Sequence, residues 1–168
     1  MTLNIRNEQP EDIKHITALT IAAFAQEEHS SHTEHFIVDA LRRAGQLTVS
    51  LVAVEHDEIL GHVAVSPVTV SSGATGWYGL GPICVRPNRQ GQGIGCALMN
   101  AALARLREQG AAGCVLLGDP GYYARFGFKA HAGLELPGVP QAYFQTLSFS
   151  GDLPEGTVQY HESFDATE

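Results

Sequence analysis

Ile83-Cys84-Val85-Arg86-Pro87-Asn88-Arg89-Gln90-Gly91-Gln92-Gly93-Ile94-Gly95-Cys96-Ala97-Leu98-Met99 runs from an apolar strand through a glycine-rich loop into an amphipathic helix. The first turn of a helix leaves its amide donors without intrahelical partners, and the aligned peptide dipoles add partial positive charge at that end. A phosphate or diphosphate is bound there by main chain alone, with no need of a lysine. Glycines at 91, 93 and 95 let a bulky anion approach the backbone and supply φ > 0 where the loop requires it. A glycine-rich turn without a ligand is the structural alternative.

Spacing separates the kinds of phosphate loop. A Walker A loop needs G-x-x-x-x-G-K-[ST], and no Lys-Ser or Lys-Thr pair follows these glycines. The dinucleotide fingerprint G-x-G-x-x-G/A also fails, because Gly91-x-Gly93 leads to Cys96 and Gly93-x-Gly95 leads to Leu98. What remains is Gln90-x-x-Gly93-x-Gly95 at a strand-to-helix junction.

The rest of the chain limits what such a loop can serve. A length of 168 residues with 44% hydrophobic side chains suits a single domain, 1–168, with a core of its own. The formal net charge of -8 argues against a nucleic-acid partner, whose phosphates need Lys and Arg. No apolar run reaches the roughly 18 residues of a membrane span, and Met1 to Arg6 lacks the features of a signal peptide. A cytoplasmic protein is expected. Between Glu58 and Glu108 there is no acidic residue, while Arg86, Arg89, Arg105 and Arg107 fall inside that span. A phosphate-bearing ligand would favour such a stretch, and so would a plain apolar core.

Cys84, Cys96 and Cys114 form no C-x-x-C pair and read as small buried hydrophobes, with Cys96 also placed for a lowered pKa at a helix start. His29, His32 and His35 stand beside Glu28 and Glu34, but histidines at i, i+3 and i+6 cannot share one helix face and match no zinc signature. No metal is expected, and these side chains border a pocket or are solvated.

Leu3 to Arg6 reads as a first strand. Pro10-Glu11-Asp12 opens a helix carrying Ile13, Ile16, Leu19 (or Thr20) and Ala23 at helical spacing. Thr33 is a candidate N-cap for a second helix with Phe36, Ile37, Ala40 and Leu41, stopped by Gly45. Thr48 to Glu55 and Ile59 to Val65 predict a hairpin turning at His56-Asp57, with Pro67 and Ser71-Ser72-Gly73 marking the next turn. Tyr78 to Val85 predicts the central strand, Gly93 to Gln109 the long helix and Cys114 to Leu117 a buried strand. Asp119 then caps a short helix. Residues 128–149 hold short strand candidates broken by Pro137, Gly138 and Pro140, and an acidic, mobile tail is expected over 161–168.

The Gln90-x-x-Gly93-x-Gly95 loop resembles the coenzyme A diphosphate loop of the GNAT superfamily of N-acetyltransferases. Leu116-Leu117-Gly118-Asp119-Pro120-Gly121-Tyr122-Tyr123-Ala124-Arg125-Phe126-Gly127-Phe128 resembles that family's strand, short helix and closing Tyr-x-x-x-Gly-Phe element. Ser50 to Val54, Gly61 to Val68, Gly79 to Pro82, Gly156 to Tyr160 and Phe164 are similar to its YhbS-like subgroup, so the likeness covers nearly the whole chain.

The resemblance implies an α/β GNAT fold. Its sheet is mixed, mostly antiparallel and twisted, with about six to seven strands and about four flanking helices. The strands ending at Val85 and Leu117 splay apart at its centre. It implies that the pantetheine arm of acetyl-CoA pairs with Ile83, Cys84 and Val85, and that amides of Gly91, Gln92, Gly93, Ile94, Gly95 and Cys96, behind Gln90, hold the diphosphate. An amine then attacks the thioester directly in a ternary complex. A main-chain N–H at or next to Val85 polarises the carbonyl. Tyr123 is the general acid, with Tyr122 as the other candidate and aromatic packing against Phe126 and Phe128 as its structural role. Glu34 is the candidate base, with Glu27 or Glu28 drawing in the cation and surface solvation as the competing role. The chain departs from many members in carrying Gly118-Asp119-Pro120 where an Asn commonly precedes the last short helix. Acetyl-CoA is then the acyl donor and a small-molecule or protein amine the acceptor. The assembly is compatible with a homodimer. A non-catalytic acyl-CoA sensor and a lysine or N-terminal protein acetyltransferase are the rival readings.

Overall fold

The computed structural model describes residues 2–28 and 30–168. Its strands are β1 Asn4–Asn7, β2 Val49–Glu55, β3 Glu58–Val70, β4 Trp77–Val85, β5 Gly113–Leu117, β6 Leu134–Glu135, β7 Phe144–Ser148 and β8 Gly156–Tyr160. Its α-helices are α1 Ile13–Phe24, α2 Glu34–Arg43, α3 Ile94–Glu108 and α4 Pro120–Tyr123. The main sheet runs β1-β2-β3-β4-β5-β7, with β8 joining the far end of β3 and β6 pairing β8. Among the described residues of the main sheet only the β4–β5 pair is parallel. This is the mixed, mostly antiparallel sheet expected, and the two-residue β6 brings the described strands to eight.

Strand periodicity sorts side chains to two faces. Leu51, Ala53 and Val63 pack under α3 with Leu98, Met99, Ala102 and Leu106, whereas Val52 and Ala64 pack under α1 and α2 with Ile16, Leu19 and Val38. The β2–β3 hairpin turns at His56 and Asp57, both with positive φ, which is the two-residue turn that the right-handed twist of a hairpin favours.

The opening in the sheet lies between β4 and β5. Their ladder joins Trp77, Tyr78 and Gly79 to Gly113, Cys114 and Val115 and then stops. Between the pairs Val65↔Leu80 and Val63↔Ile83, β4 carries an extra residue against β3, a bulge at Gly81-Pro82 that bends it away from β5. Meanwhile β5 continues with β7 as far as Leu117↔Phe144. At the closed end Gly113 is required by contact: a Cβ there would lie 2.4 Å from the Trp77 ring and 2.6 Å from the Leu147 carbonyl oxygen.

Three local expectations change. Pro67 does not end its strand, because β2 stops opposite Val65 and β8 begins opposite Val68, leaving one side of β3 without a strand partner at the residue that lacks an N–H. Thr33 holds the N-cap position of α2 but makes no side-chain capping bond. The tail expected to be mobile from His161 instead forms a 3-10 helix, Glu162–Asp165, packed on α2, with Ser163 buried and Phe164 edge-on to Tyr160.

Candidate active site

The site begins at the head of α3. Gly93 occupies its N-cap with φ 86° and offers no side-chain cap, and the first turn contains no acidic residue. Buried Ile94 and Leu98 anchor the turn, and the Ala97 N–H donates to the Gly93 carbonyl at 3.0 Å. The amides of Ile94, Gly95 and Cys96 precede that bond and have no intrahelical acceptor. A Cβ added at Gly91 or Gly93 would meet nothing within 4 Å, so the space over these amides is open. That donor set, free of carboxylates and unobstructed, fits a diphosphate.

The cations expected near the loop are mostly engaged elsewhere. Arg86 pairs with Glu58, Arg89 lies 3.2 Å from Glu55 and donates to Gln92, Arg105 donates to Asn7, and Arg107 lies over the Phe149 ring. Arg89 still borders the loop cavity, and Arg125, which the sequence reading missed, joins it there. The Arg125 guanidinium stacks 4.4 Å from the Tyr122 ring centroid, lies 3.9 Å from the Cys96 sulfur and borders the same cavity of about 310 Å³ as Gly91, Gly93 and Gly95. Cys96 is half-buried at this cavity, unlike buried Cys84 and Cys114, whose thiols burial pushes up, Cys84 to about 11.

From the loop an open trough follows β4. The Arg86 N–H donates to the Leu60 carbonyl at 2.7 Å, and successive strand amides alternate in direction, so the Ile83 and Val85 amides face the side that β5 has left. The Val85 carbonyl faces the same way and accepts from Gln90 Nε2 at 3.3 Å. Cys84 is a correction. Its main chain falls in the β3 ladder opposite His62, and its buried thiol lies 3.8 Å from Thr20 Oγ1, so it offers the opening no main-chain donor. A small opening of about 200 Å³ beside Ile83, Val85, Gln90 and Gly95 lies between the loop cavity and an apolar cavity of about 490 Å³, sharing Val85, Gln90 and Gly95 with the first and Phe24, Ile83 and Tyr123 with the second.

Both tyrosines border the small opening, from which Tyr123 reaches the apolar cavity and Tyr122 the loop cavity. Tyr123 stands where the trough meets the apolar cavity, whereas the Tyr122 hydroxyl lies 3.5 Å from Cys96 Sγ over the α3 N-terminus. Burial, with the Asp119 charge adding to it, raises the Tyr123 phenol, so it stays protonated at neutral pH. Burial and the Cys96 contact push Tyr122 up to about 12. Asp119 caps α4 by accepting from the Gly121 N–H at 2.9 Å, which places both rings one turn later. Gly118 is the second feature missed from sequence: a Cβ there would lie 2.3 Å from Tyr123 Cε2, so only glycine seats this ring.

Glu34, in the first turn of α2, borders the apolar cavity and accepts from Ser30 Oγ at 2.6 Å. Glu27 borders the small opening and Glu28 is exposed. His32 and His35 line a side cleft shared with Glu34, while His29 lies outside the described residues. Among the described residues no group of three metal-ligating side chains converges.

A sheet splayed beside an uncapped glycine-rich helix start, with a protonated phenol in the opening, defines an acyl-CoA-dependent N-acyltransferase. The chain belongs to the GNAT acetyltransferase family: residues 4–130 match the family model described as Acetyltransferase (GNAT) domain. It is 38% identical over 168 residues to the uncharacterized N-acetyltransferase YhbS of Escherichia coli K12, covering 95% of this chain and 97% of that protein. Among solved structures, a GNAT family acetyltransferase from Brucella melitensis in complex with acetyl-CoA is 51% identical, covering 98% of this chain and 99% of that one with a TM-score of 0.88. Escherichia coli YhbS in complex with CoA is 35% identical, covering 99% and 93%, with a TM-score of 0.87.

Proposed function

We propose that this acetyltransferase binds acetyl-CoA along the trough and passes the acetyl group directly to a primary amine in a ternary complex. One observation carries this reading: the open amides at the head of α3, the Ile83 and Val85 amides on the side that β5 has left and the Tyr123 phenol border adjoining cavities with common lining residues. There Gly91, Gln92, Gly93, Ile94, Gly95 and Cys96 hold the diphosphate by main chain, assisted by Arg125. The amide-bearing arm adds to the free edge of β4 as a strand would.

The chemistry then needs three proton and charge events. The amine loses a proton to Glu34, directly or through water, and attacks the thioester carbon. The Val85 N–H stabilises the developing oxyanion, a role worth about 10²–10³ in rate where a single donor has been removed. Collapse forms the amide and expels the CoA thiolate, which takes its proton from the Tyr123 hydroxyl, while the second proton of the former amine nitrogen leaves as the amide forms and restores that hydroxyl through water. A phenol held protonated by burial suits that last step better than one already ionised.

The test is release of free CoA thiol from acetyl-CoA, measured with and without an amine, beside calorimetric titration with CoA. Amine-dependent release with saturable CoA binding is expected. Binding without any transfer would leave a CoA sensor, and absence of binding would end the proposal.

A further inference from the structure

The apolar cavity beyond Tyr123 is walled by Phe24, Ile37, Leu117, Leu136, Tyr160 and Phe164, among others, with a volume of about 490 Å³. Among its described lining residues Glu34 carries the one ionisable carboxylate, no Lys, Arg or His contributes, and the remaining polar side chains are the phenols of Tyr123 and Tyr160. That volume lies within the usual range for a small-molecule site of roughly 300–1,000 Å³. The cavity adjoins the trough at Ile83 and Tyr123, so an amine held at Glu34 shares the cavity with Tyr123 and keeps its body against the apolar walls.

Resting on the transfer reading above, we infer that the acceptor is a primary monoamine with an apolar body of aryl or branched-alkyl size, its ammonium at Glu34 and its body in this cavity. Glu34 is half-buried, accepts from Ser30 and has His32 and His35 in the side cleft behind it, yet among the described lining residues it is the sole carboxylate facing this cavity, so one ammonium is the charge the cavity complements. An amino acid brings a second carboxylate that no described cation in the wall would meet. A diamine brings a second ammonium with no second anion to receive it. A lysine peptide would enter by its unbranched four-carbon stem alone, which leaves much of this apolar wall unfilled. A long acyl chain would fill the same volume yet bring no charge to the Glu34 carboxylate.

The test compares kcat/KM at saturating acetyl-CoA for phenethylamine, phenylalanine, putrescine and a short lysine peptide, with hexanoyl-CoA as an alternative donor. Phenethylamine should exceed each other acceptor by about tenfold or more, the discrimination expected from one unmatched buried charge. Leu117→Asp, at a position 47% exposed and so tolerant of change, adds a second carboxylate to the wall and should shift preference toward putrescine. Equal or better use of phenylalanine, putrescine or the peptide by the unsubstituted enzyme would overturn the inference. Faster turnover of hexanoyl-CoA than acetyl-CoA would overturn it too, giving the cavity to the acyl chain. CoA binding with none of these amines acetylated would sink the monoamine assignment alone, whereas failure to bind CoA would sink the transfer reading beneath it.

Discussion

Gly118→Ala isolates the placement of Tyr123 from its chemistry. The new Cβ would lie 2.3 Å from Tyr123 Cε2 and 2.8 Å from Cδ2, while ordinary contact begins at 3.4 Å. Backbone relief is blocked on both sides, because the Gly118 N–H donates to the Tyr143 carbonyl at 3.0 Å and its carbonyl accepts from Gln145 Nε2 at 2.8 Å. The ring must therefore retreat by about 1 Å, a misplacement that costs on the order of 10²-fold in rate when the displaced group acts in the chemistry. Crowding at this seat should also cost about 1–3 kcal/mol of stability. The assay is amine-dependent thiol release under saturating substrates, with CoA affinity measured by calorimetry and folding checked by thermal denaturation. Expected are a fall in kcat of about 10²-fold, little change in CoA affinity, and almost no further loss when Gly118→Ala is added to Tyr123→Phe. If the two losses multiply, or if Gly118→Ala keeps full kcat, the phenol is not the proton donor that Gly118 positions.

Glu34→Gln should raise the KM for the amine and lower kcat/KM by about tenfold or more while CoA affinity holds; an unchanged kcat/KM would assign Glu34 to solvation. The network of half-buried Glu8 and Arg42 with buried Ser50 and His62 should make the fold acid-labile. Burial pushes His62 down to about 4, against an ordinary value of 6.5. Burial raises Glu8, but hydrogen bonds from Arg42 and Ser50 outweigh it and hold the carboxyl below its usual range. Because the unfolded His62 binds a proton first, stability is intact above about pH 6.5 and falls from there toward pH 4, by an amount of order 3 kcal/mol. Denaturation midpoints across that window should fall steeply in the unsubstituted protein and less in His62→Gln; equal slopes would contradict this. Gly113→Ala should destabilise by more than about 3 kcal/mol, since its Cβ meets both the Trp77 ring and a backbone oxygen at the clamped end of the opening. A midpoint within error of the parent protein would show that the β4–β5 clamp yields.

Much of the framework was legible because it rests on local chemistry. Glycines around Ile94 announced a helix whose amides stay open, Asp119-Pro120 announced the capped turn that carries Tyr123, and His56-Asp57 announced a two-residue hairpin. What escaped depends on contacts across the sheet. Gly118 reads as a loop residue until the Tyr123 ring is seen against it. Pro67 reads as a strand end until β2 and β8 are seen to leave a gap at that position. Charges near the loop misled in the same way: Glu55 and Glu58 lie outside the acid-free span in sequence but fold back onto Arg89 and Arg86. Which strand edge Cys84 faces follows from the parity of a ladder, which composition does not encode. The apolar cavity draws on α1, α2, β4, β5 and the 3-10 helix that holds Phe164, so no single stretch of sequence outlines it.

The amide proton–nitrogen correlation spectrum, recorded while coenzyme A is titrated in, tests the diphosphate cradle most directly. Resonances of Gly91, Gln92, Gly93, Ile94, Gly95 and Cys96 should shift together and saturate with the calorimetric affinity, with Ile83 and Val85 following as the arm adds to β4. Saturable binding that leaves those loop amides unmoved, or shifts confined to the β2–β3 hairpin and the α1 surface, would show that the carrier is held elsewhere.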